Sequence, residues 1–374
     1  MTATPPATIG VLGGGQLGRY ALMAARAMGY GTVVLEPDVH APAGAVADVH
    51  LVAPYDDETA LDRLADLCAV VTTEFENPPA GALERLARQT TVAPSAVAVA
   101  IAQDRRSEKR FLADHGFPVG PWGAFDSPDT RPSVGFPAIL KTSRLGYDGK
   151  GQVTVGSAEH LAGAWMALGG RRCVLEQALD LDAEVSVVLA RTAVGSWATF
   201  EPAENHHVGG VLDLTVVPAR VDPTVAARAT DVSVAIAHAL DYVGVLAVEL
   251  FVVGDELYVN ELAPRPHNSG HWTLDAARTS QFEQQVRAVC DVGLGDPSMT
   301  APAVAMVNLL GDLWEGGEPD WTPVLADPAA SLHLYGKSEA RPGRKMGHLT
   351  VTGADADAVA ARALALRASV RRPR

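Results

Sequence analysis

Apolar and polar positions follow two different rhythms along this chain. Over the first ninety residues, short β-branched runs take turns with amphipathic stretches. Residues 8–12 read as a strand, 16–28 as a helix and 32–36 as a second strand. Residues 60–67 have helical spacing, 70–73 form a strand, 81–88 a helix, and 91–93 close the unit. This alternation predicts a parallel sheet with crossover helices.

From about Ile101 the rhythm changes. Residues 104–115 read as a charged helix, followed by a stretch punctuated by Pro and Gly and a strand over 136–141. Longer strands follow at 172–177, 184–191, 245–252 and 256–261, with a helix over 225–240 between them. Antiparallel strands with helices to one side predict an α+β domain. A turn-rich linker at 297–302 precedes a strand over 304–310, a few further strands and one final helix, a small unit that leans on its neighbours. The expected fold class is mixed α/β and α+β, in three domains over 1–100, 101–296 and 297–374. The sequence shows no internal repeat.

Composition narrows the classes. The 374 residues carry a formal charge of −14, with 48% hydrophobic and 20% charged positions, a globular balance that excludes disordered and collagen-like chains. Such a charge repels nucleic-acid backbone unless cations cluster. The visible cluster, 362–374, ends an Ala/Leu-rich helical pattern where cations oppose the negative end of the helix dipole, so no nucleic-acid partner is expected. No apolar run reaches the roughly 18 residues of a membrane helix, and residues 1–8 lack a signal peptide's basic start. The expectation is a cytoplasmic protein with no membrane partner. Cys68, Cys173 and Cys290 are odd in number and too far apart for a CxxC element, which leaves them as reduced packing residues.

Candidate chemistry begins at Gly13-Gly14-Gly15-Gln16-Leu17-Gly18, which follows one expected strand, opens an expected helix and fits G-x-G-x-x-G, with Glu36 ending the next strand. Glycines there let amides and the helix dipole approach an anion, which points to a phosphate-bearing ligand. NAD does not follow, because the same turn serves any phosphorylated small molecule or simply packs a helix on a strand. Further on, Lys141 ends an apolar strand beside the glycine-rich segment 143–152. A strand-end lysine and loop amides suit a nucleoside triphosphate, yet no Walker sequence is present, so the phosphate site is of another kind; the plain alternative is an exposed hairpin. In 245–261, Glu249 sits inside an apolar strand, and Asn260 and Glu261 lie across the turn. A loop centred on Asp255 sets Glu249 against Glu261, whereas a two-residue Gly254-Asp255 turn sets it against Asn260. Either gathers oxygen ligands suited to Mg²⁺ with phosphate oxygens; the alternative pairs the carboxylate with an arginine such as Arg265. A zinc reading fails locally. His267 and His271 are spaced i, i+4, but Pro264, Pro266 and Gly270 argue against the helix that would align them, and His206-His207 has no third ligand nearby.

Gly13 to Gly18, Thr73-Glu-Phe-Glu-Asn77, Gly146-Tyr-Asp-Gly-Lys-Gly-Gln152, Asn260-Glu-Leu-Ala-Pro-Arg-Pro-His-Asn-Ser-Gly-His271 and Arg341-Pro-Gly-Arg-Lys-Met-Gly-His348 together resemble the N5-carboxyaminoimidazole ribonucleotide synthetases, ATP-grasp enzymes of microbial purine biosynthesis. The match runs in order over nearly the whole chain. The resemblance implies an ATP-grasp fold, with a Rossmann-like N-terminal domain, a central ATP-clamping module and a small C-terminal domain, usually as a homodimer. It implies conversion of 5-aminoimidazole ribonucleotide, bicarbonate and ATP to the N5-carboxylated ribonucleotide, ADP and phosphate, through carboxyphosphate, with Mg²⁺. Implied ATP contacts are Arg106, Lys141, the loop Gly146, Tyr147, Asp148, Gly149, Lys150, Gly151 and Gln152, the strand residues Glu176, Gln177, Ala178 and Leu179, Glu184 at the ribose, and His207. Glu249 and Glu261 would hold Mg²⁺ with help from Asn260. The ribonucleotide would lie among Gly14, Gly15, Gln16, Leu17, Glu74, Glu76, Asn77, Arg265, His267, Asn268, Ser269, Lys337, Arg341, Arg344 and Lys345. Catalytic roles would fall to Tyr147, Asp148, His271 and Lys345. One departure is Lys150, where many members carry arginine; lysine lacks the forked guanidinium. Competing readings are a formate-dependent glycinamide ribonucleotide transformylase, a biotin carboxylase, a nicotinamide-dependent oxidoreductase and a catalytically silent nucleotide-binding module.

Overall fold

The computed structural model describes residues 2–79, 81–130, 132–146 and 149–370. Its first unit runs β1 (Thr8–Leu12), α1 (Gln16–Ala27), β2 (Gly31–Leu35), β3 (Val49–Leu51), α2 (Glu58–Leu67), β4 (Val70–Thr73), α3 (Ala82–Ala87) and β5 (Thr91–Val92). The strands form a five-stranded parallel sheet in the order β3-β2-β1-β4-β5. Helices cover both faces, so Ile9, Val11 and Leu12 on β1 and Val33 to Leu35 on β2 are buried almost without alternation.

Two helices, α4 (Ala96–Ala102) and α5 (Arg105–Asp114), lead into β6 (Trp122–Phe125), β7 (Ala138–Thr142), β8 (Gln152–Val155), α6 (Leu161–Ala167) and β9 (Cys173–Gln177). Asp104 starts α5 by accepting from the amides of Arg106 and Ser107. The strands make a four-stranded antiparallel sheet, β6-β9-β7-β8.

The rest builds on one large antiparallel sheet. Its elements are β10 (Ala183–Arg191), β11 (Trp197–Thr199), β12 (Ala203–Val208), β13 (Val211–Val217), α7 (Pro223–Ala239), β14 (Gly244–Val253), β15 (Glu256–Ala263), α8 (Thr273–Ala276), α9 (Gln281–Val289), β16 (Ala303–Leu310), α10 (Thr322–Leu325), β17 (Ala330–Leu334), β18 (Lys345–Gly353) and α11 (Ala356–Ser369). The strand order is β15-β14-β10-β12-β13-β16-β18-β17, with β11 beside β10. The C-terminal unit therefore has no sheet of its own: β16 pairs with β13 from Leu214↔Val307 to Val217↔Val304, so the sheet crosses the expected border at 296/297. The basic cluster near the C-terminus is tied down on α11, where Arg362 bonds Asp327 and Arg367 bonds Asp213; residues 371–374 lie outside the described ones.

Candidate active site

A cavity of about 870 Å³ opens where the N-terminal sheet, the two helices α4 and α5, and the curled large sheet converge. The hairpin β14–β15 forms its floor. Val253 pairs with Glu256, so Gly254-Asp255 is a two-residue turn, with Gly254 at φ +56° as such turns require. A bulge then shifts the register: Leu250 faces Val259, but Glu249 faces Glu261, leaving Asn260 as the extra residue. The two-residue turn and the Glu249–Glu261 pairing, alternatives in the sequence, thus coexist.

Around these carboxylates the charges are paired, but not by Arg265, the partner of the alternative reading. Arg105 donates to Glu261 Oε2 at 2.8 Å, and His267 Nε2 lies 3.1 Å from Glu249 Oε1. Burial would raise the Glu249 carboxyl, but the His267 hydrogen bond and the charges of His267, His207 and Lys345 hold it well below the usual carboxylate range. Asn260 Oδ1 is buried with no hydrogen-bond partner. Two facing carboxylates and an orphaned amide oxygen are a hard-oxygen donor set, which fits Mg²⁺. Beside them, Lys141 Nζ at 3.2 Å and Lys109 Nζ at 3.3 Å share Glu176 Oε2. Burial opposes the Glu176 charge, but Lys141, Lys109 and Arg105 overcome it and bring its pKa to about 2. Burial lowers Lys141, against Glu176's pull. Glu108 Oε1 accepts from the Leu262 amide at 2.6 Å.

The opposite wall is Gln16, Leu17 and the segment 74–77, held in place by the glycine turn behind them. Gly13 takes φ +105°, and a Cβ on Gly15 would stand 2.6 Å from Glu74 Oε1. Glu74 accepts from the amides of Gly15 at 2.7 Å and Gly18 at 2.9 Å, while Glu36 accepts from Gly14 at 2.7 Å and from the Tyr55 hydroxyl. The anion-binding amides of the turn are thus filled by the chain's own carboxylates. This disposes of the dinucleotide reading, since Glu36 is spent on the turn rather than offered to a ribose. Gln16, Leu17, Glu74, Glu76 and Asn77 still line the cavity, with Asn77 Oδ1 buried and unpartnered. Arg265 pairs with Glu76. Lys337, Arg341, Arg344 and Lys345 close the far side; Lys337 Nζ donates to the Lys345 carbonyl at 2.7 Å.

Of the other expected residues, Gly146, Lys150, His207, Glu249, Glu261, His267 and Asn268 line the same cavity. Glu184 Oε2 stands 2.9 Å from His207 Nδ1, and Ser269 bonds His267 Nδ1 at 2.8 Å. Tyr147 and Asp148 lie outside the described residues. Lys141, Gly149, Gly151, Gln152, residues 176–179, Glu184, Asn260 and Ser269 do not line the cavity, nor do the turn glycines Gly14 and Gly15. Two expectations need correction. Arg106 is not in the wall: its guanidinium is buried against the carbonyls of Phe125 and Cys173 and the Asp126 carboxylate, and the neighbouring Arg105 faces the cavity instead. Adjacent helical residues point about 100° apart, so a one-residue difference decides the face. His271 is fully buried among Tyr20, Phe282, Tyr335 and His348, away from the cavity, so it touches no reacting group. Sequence reasoning also missed Arg105, Lys109 and Glu108; the charged first turn of α5 was their only signal.

Three family models match in succession: the ribonucleotide synthetase preATP-grasp domain over residues 6–103, the ATP-grasp domain over 110–282 and the phosphoribosylaminoimidazole carboxylase C-terminal domain over 304–362. The N5-carboxyaminoimidazole ribonucleotide synthase of Brucella melitensis is 45% identical over 354 residues, covering 92% of this chain and 96% of that one. The chain belongs to the N5-carboxyaminoimidazole ribonucleotide synthase family. The family member of Bacillus subtilis is 42% identical over 92% of this chain and 91% of its own. Among solved structures, the ADP complex of an N5-carboxyaminoimidazole ribonucleotide synthetase superposes with a TM-score of 0.92 at 38% identity, over 98% of this chain and 97% of that one. The Aspergillus clavatus N5-carboxyaminoimidazole synthase, in complex with ADP and 5-aminoimidazole ribonucleotide, gives 0.86 at 28%, over 97% and 98%. The ATP-grasp match takes in the four-stranded sheet from β6 and the strands β10 to β15 of the large sheet, while β16 to β18 of that sheet fall within or at the edge of the C-terminal match.

Proposed function

We propose that the protein carboxylates the exocyclic amine of 5-aminoimidazole ribonucleotide, using bicarbonate and ATP and releasing ADP and phosphate. The observation that carries this reading is a single cavity joining the Glu249–Glu261 pair to the Glu74, Arg265 and Lys345 wall, so that an activated carboxyl group made at one end meets an amine at the other.

A bicarbonate oxygen attacks the γ-phosphorus of ATP, the bond to the β-phosphate oxygen breaks, and carboxyphosphate and ADP form. The ribonucleotide amine then attacks the carboxyl carbon, phosphate leaves with the electron pair of the broken C–O bond, and the amine loses a proton. Arg105 and Lys141 offset charge on the transferring phosphoryl group, the electrostatic work that phosphoryl transfer demands. Glu249, Glu261 and Asn260 would hold Mg²⁺, which neutralises phosphate oxygens. Arg344 and Lys345 receive the anionic end of the ribonucleotide, and Glu74, fixed by two amides, orients the imidazole side. Holding carboxyphosphate and amine together in one walled space limits its loss to water. Tyr147 and Asp148 keep their assignment to bicarbonate on the family resemblance. The same resemblance supports a homodimer in the cytoplasm; among the described residues no helix is long and apolar enough to cross a membrane.

ADP release measured with each acceptor and carbon donor in turn tests the reading. Strong dependence on both bicarbonate and aminoimidazole ribonucleotide is expected. Stimulation by formate, or hydride transfer to NAD, would overturn it.

A further inference from the structure

Behind the cavity, all three units meet at a knot of rings. Tyr20 of α1 packs edge-on against His271, His333, Tyr335 and His348. Within this knot the ligand atoms of Asp275, His333 and His348 all lie within 4.8 Å of one another. His333 Nε2 is 3.0 Å from each carboxylate oxygen of Asp275. His348 is fully buried; its Nδ1 is 3.0 Å from the Tyr335 hydroxyl, and its Nε2 is buried with no partner. His271 repeats the pattern. Its Nδ1 has both the His267 carbonyl oxygen at 3.0 Å and the Gln281 amide nitrogen at 3.2 Å as neighbours, which leaves Nε2 as the ring's open position. That Nε2 is also buried and unpartnered, and the ring centroid is 4.9 Å from that of His348.

We propose that Asp275, His333 and His348 bind a transition-metal ion of the zinc class, with His271 as an adjacent third imidazole. Two imidazole nitrogens and one carboxylate oxygen are the mixed donor set of such ions, whereas Mg²⁺ takes oxygen ligands. Ligating imidazoles hold their other nitrogen in an outer hydrogen bond, as Tyr335 does for His348 and the His267 carbonyl for His271. His333 and His348 stack nearly parallel, 4.5 Å apart and 11° inclined, so one ring must turn to aim both lone pairs at one ion. His333 has the room: it lies on the edge strand β17 with 22% of its side chain exposed, which also gives an ion its path inward. None of Asp275, His333 and His348 lines the large cavity, so this ion is separate from the one at Glu249 and Glu261. It would pin α8 to the sheet edge at β17 and β18, acting as a structural clamp.

The full-length protein, stripped with a chelator and titrated with Co²⁺ in excess Mg²⁺, reports the site directly. One Co²⁺ per chain is expected, with the visible bands of a nitrogen-and-oxygen site, displaced by Zn²⁺. His333→Ala and Asp275→Asn should lose the bands, while Glu249→Gln keeps them. Zn²⁺ should raise the thermal unfolding midpoint of the wild type and leave that of folded His333→Ala unmoved. Should a variant fail to fold, wild-type stoichiometry and resistance to Mg²⁺ decide alone. Absence of a stoichiometric band, its survival in His333→Ala, or its loss in Glu249→Gln would overturn the proposal; a knot that holds only water gives no band.

Discussion

Replacing Glu108 by glutamine should change how stability depends on pH. The carboxyl is almost wholly buried, and its pKa is pushed from 4.5 to about 8, first by burial and then by the Glu261 charge, against the pull of Lys109, Arg105 and the Leu262 amide. Between those two values the folded protein keeps a proton on Glu108 that the unfolded chain has released. Stability therefore falls as pH rises from 4.5 and levels off above 8. At about 1.4 kcal/mol for each pH unit of separation, the full penalty is roughly 5 kcal/mol. Glutamine mimics the protonated form: its carbonyl still accepts from the Leu262 amide, at 2.6 Å in the wild type, and it never ionises. Urea unfolding of wild type and Glu108→Gln from pH 5 to 9 separates this group from all others, because shared titrations cancel in the difference. The variant should gain on the wild type steadily with rising pH, reaching a few kcal/mol near pH 8. Parallel curves across that range would refute the reasoning.

Lys141→Ala removes one of two ammonium groups on Glu176 and the cation proposed to face the triphosphate. The KM for ATP should rise about 10- to 100-fold, the worth of one charged hydrogen bond, in steady-state ADP release; an unchanged KM in folded protein would count against the assignment. Gly15→Ala sets a methyl group 2.6 Å from Glu74 Oε1, so Glu74 must leave the turn amides. Urea unfolding should show a loss of about 1–3 kcal/mol, with a higher KM for the ribonucleotide. An unshifted unfolding midpoint would show that the turn accommodates the methyl group.

Much of the frame is legible in the sequence because burial there follows simple periods. Residues 8–12 and 70–73 form strands with the expected bounds, and the helix expected over 104–115 spans Arg105–Asp114. What escaped has a common cause: polar residues buried in service of other polar groups. Helix α9 buries Gln281, Gln284 and Gln285, which bond His267, Gly295 and the pair Val245 and Thr72, beside its apolar stripe of Phe282, Val286 and Val289, so its polar residues read as a solvated face. Strand β12 does not read as a strand because Asn205 and His206-His207 break the alternation, and a bulge between the two histidines re-aims the chain. At the site, motifs marked the wall residues well, from Gln16 to Lys345. They did not distinguish Arg105 from Arg106, nor foresee His271 turned inward, because both depend on the face a residue takes.

The continuity of the large sheet through β13 and β16 fixes more than architecture. Glu249 on β14 and Lys345 at the head of β18 ride on one hydrogen-bonded fabric, while the four-stranded sheet β6-β9-β7-β8 shares no ladder with it. Glu249 and Lys345 are thus two pegs on one board: their separation is set by strand ladders within a single sheet, and the four-stranded sheet joins none of those ladders.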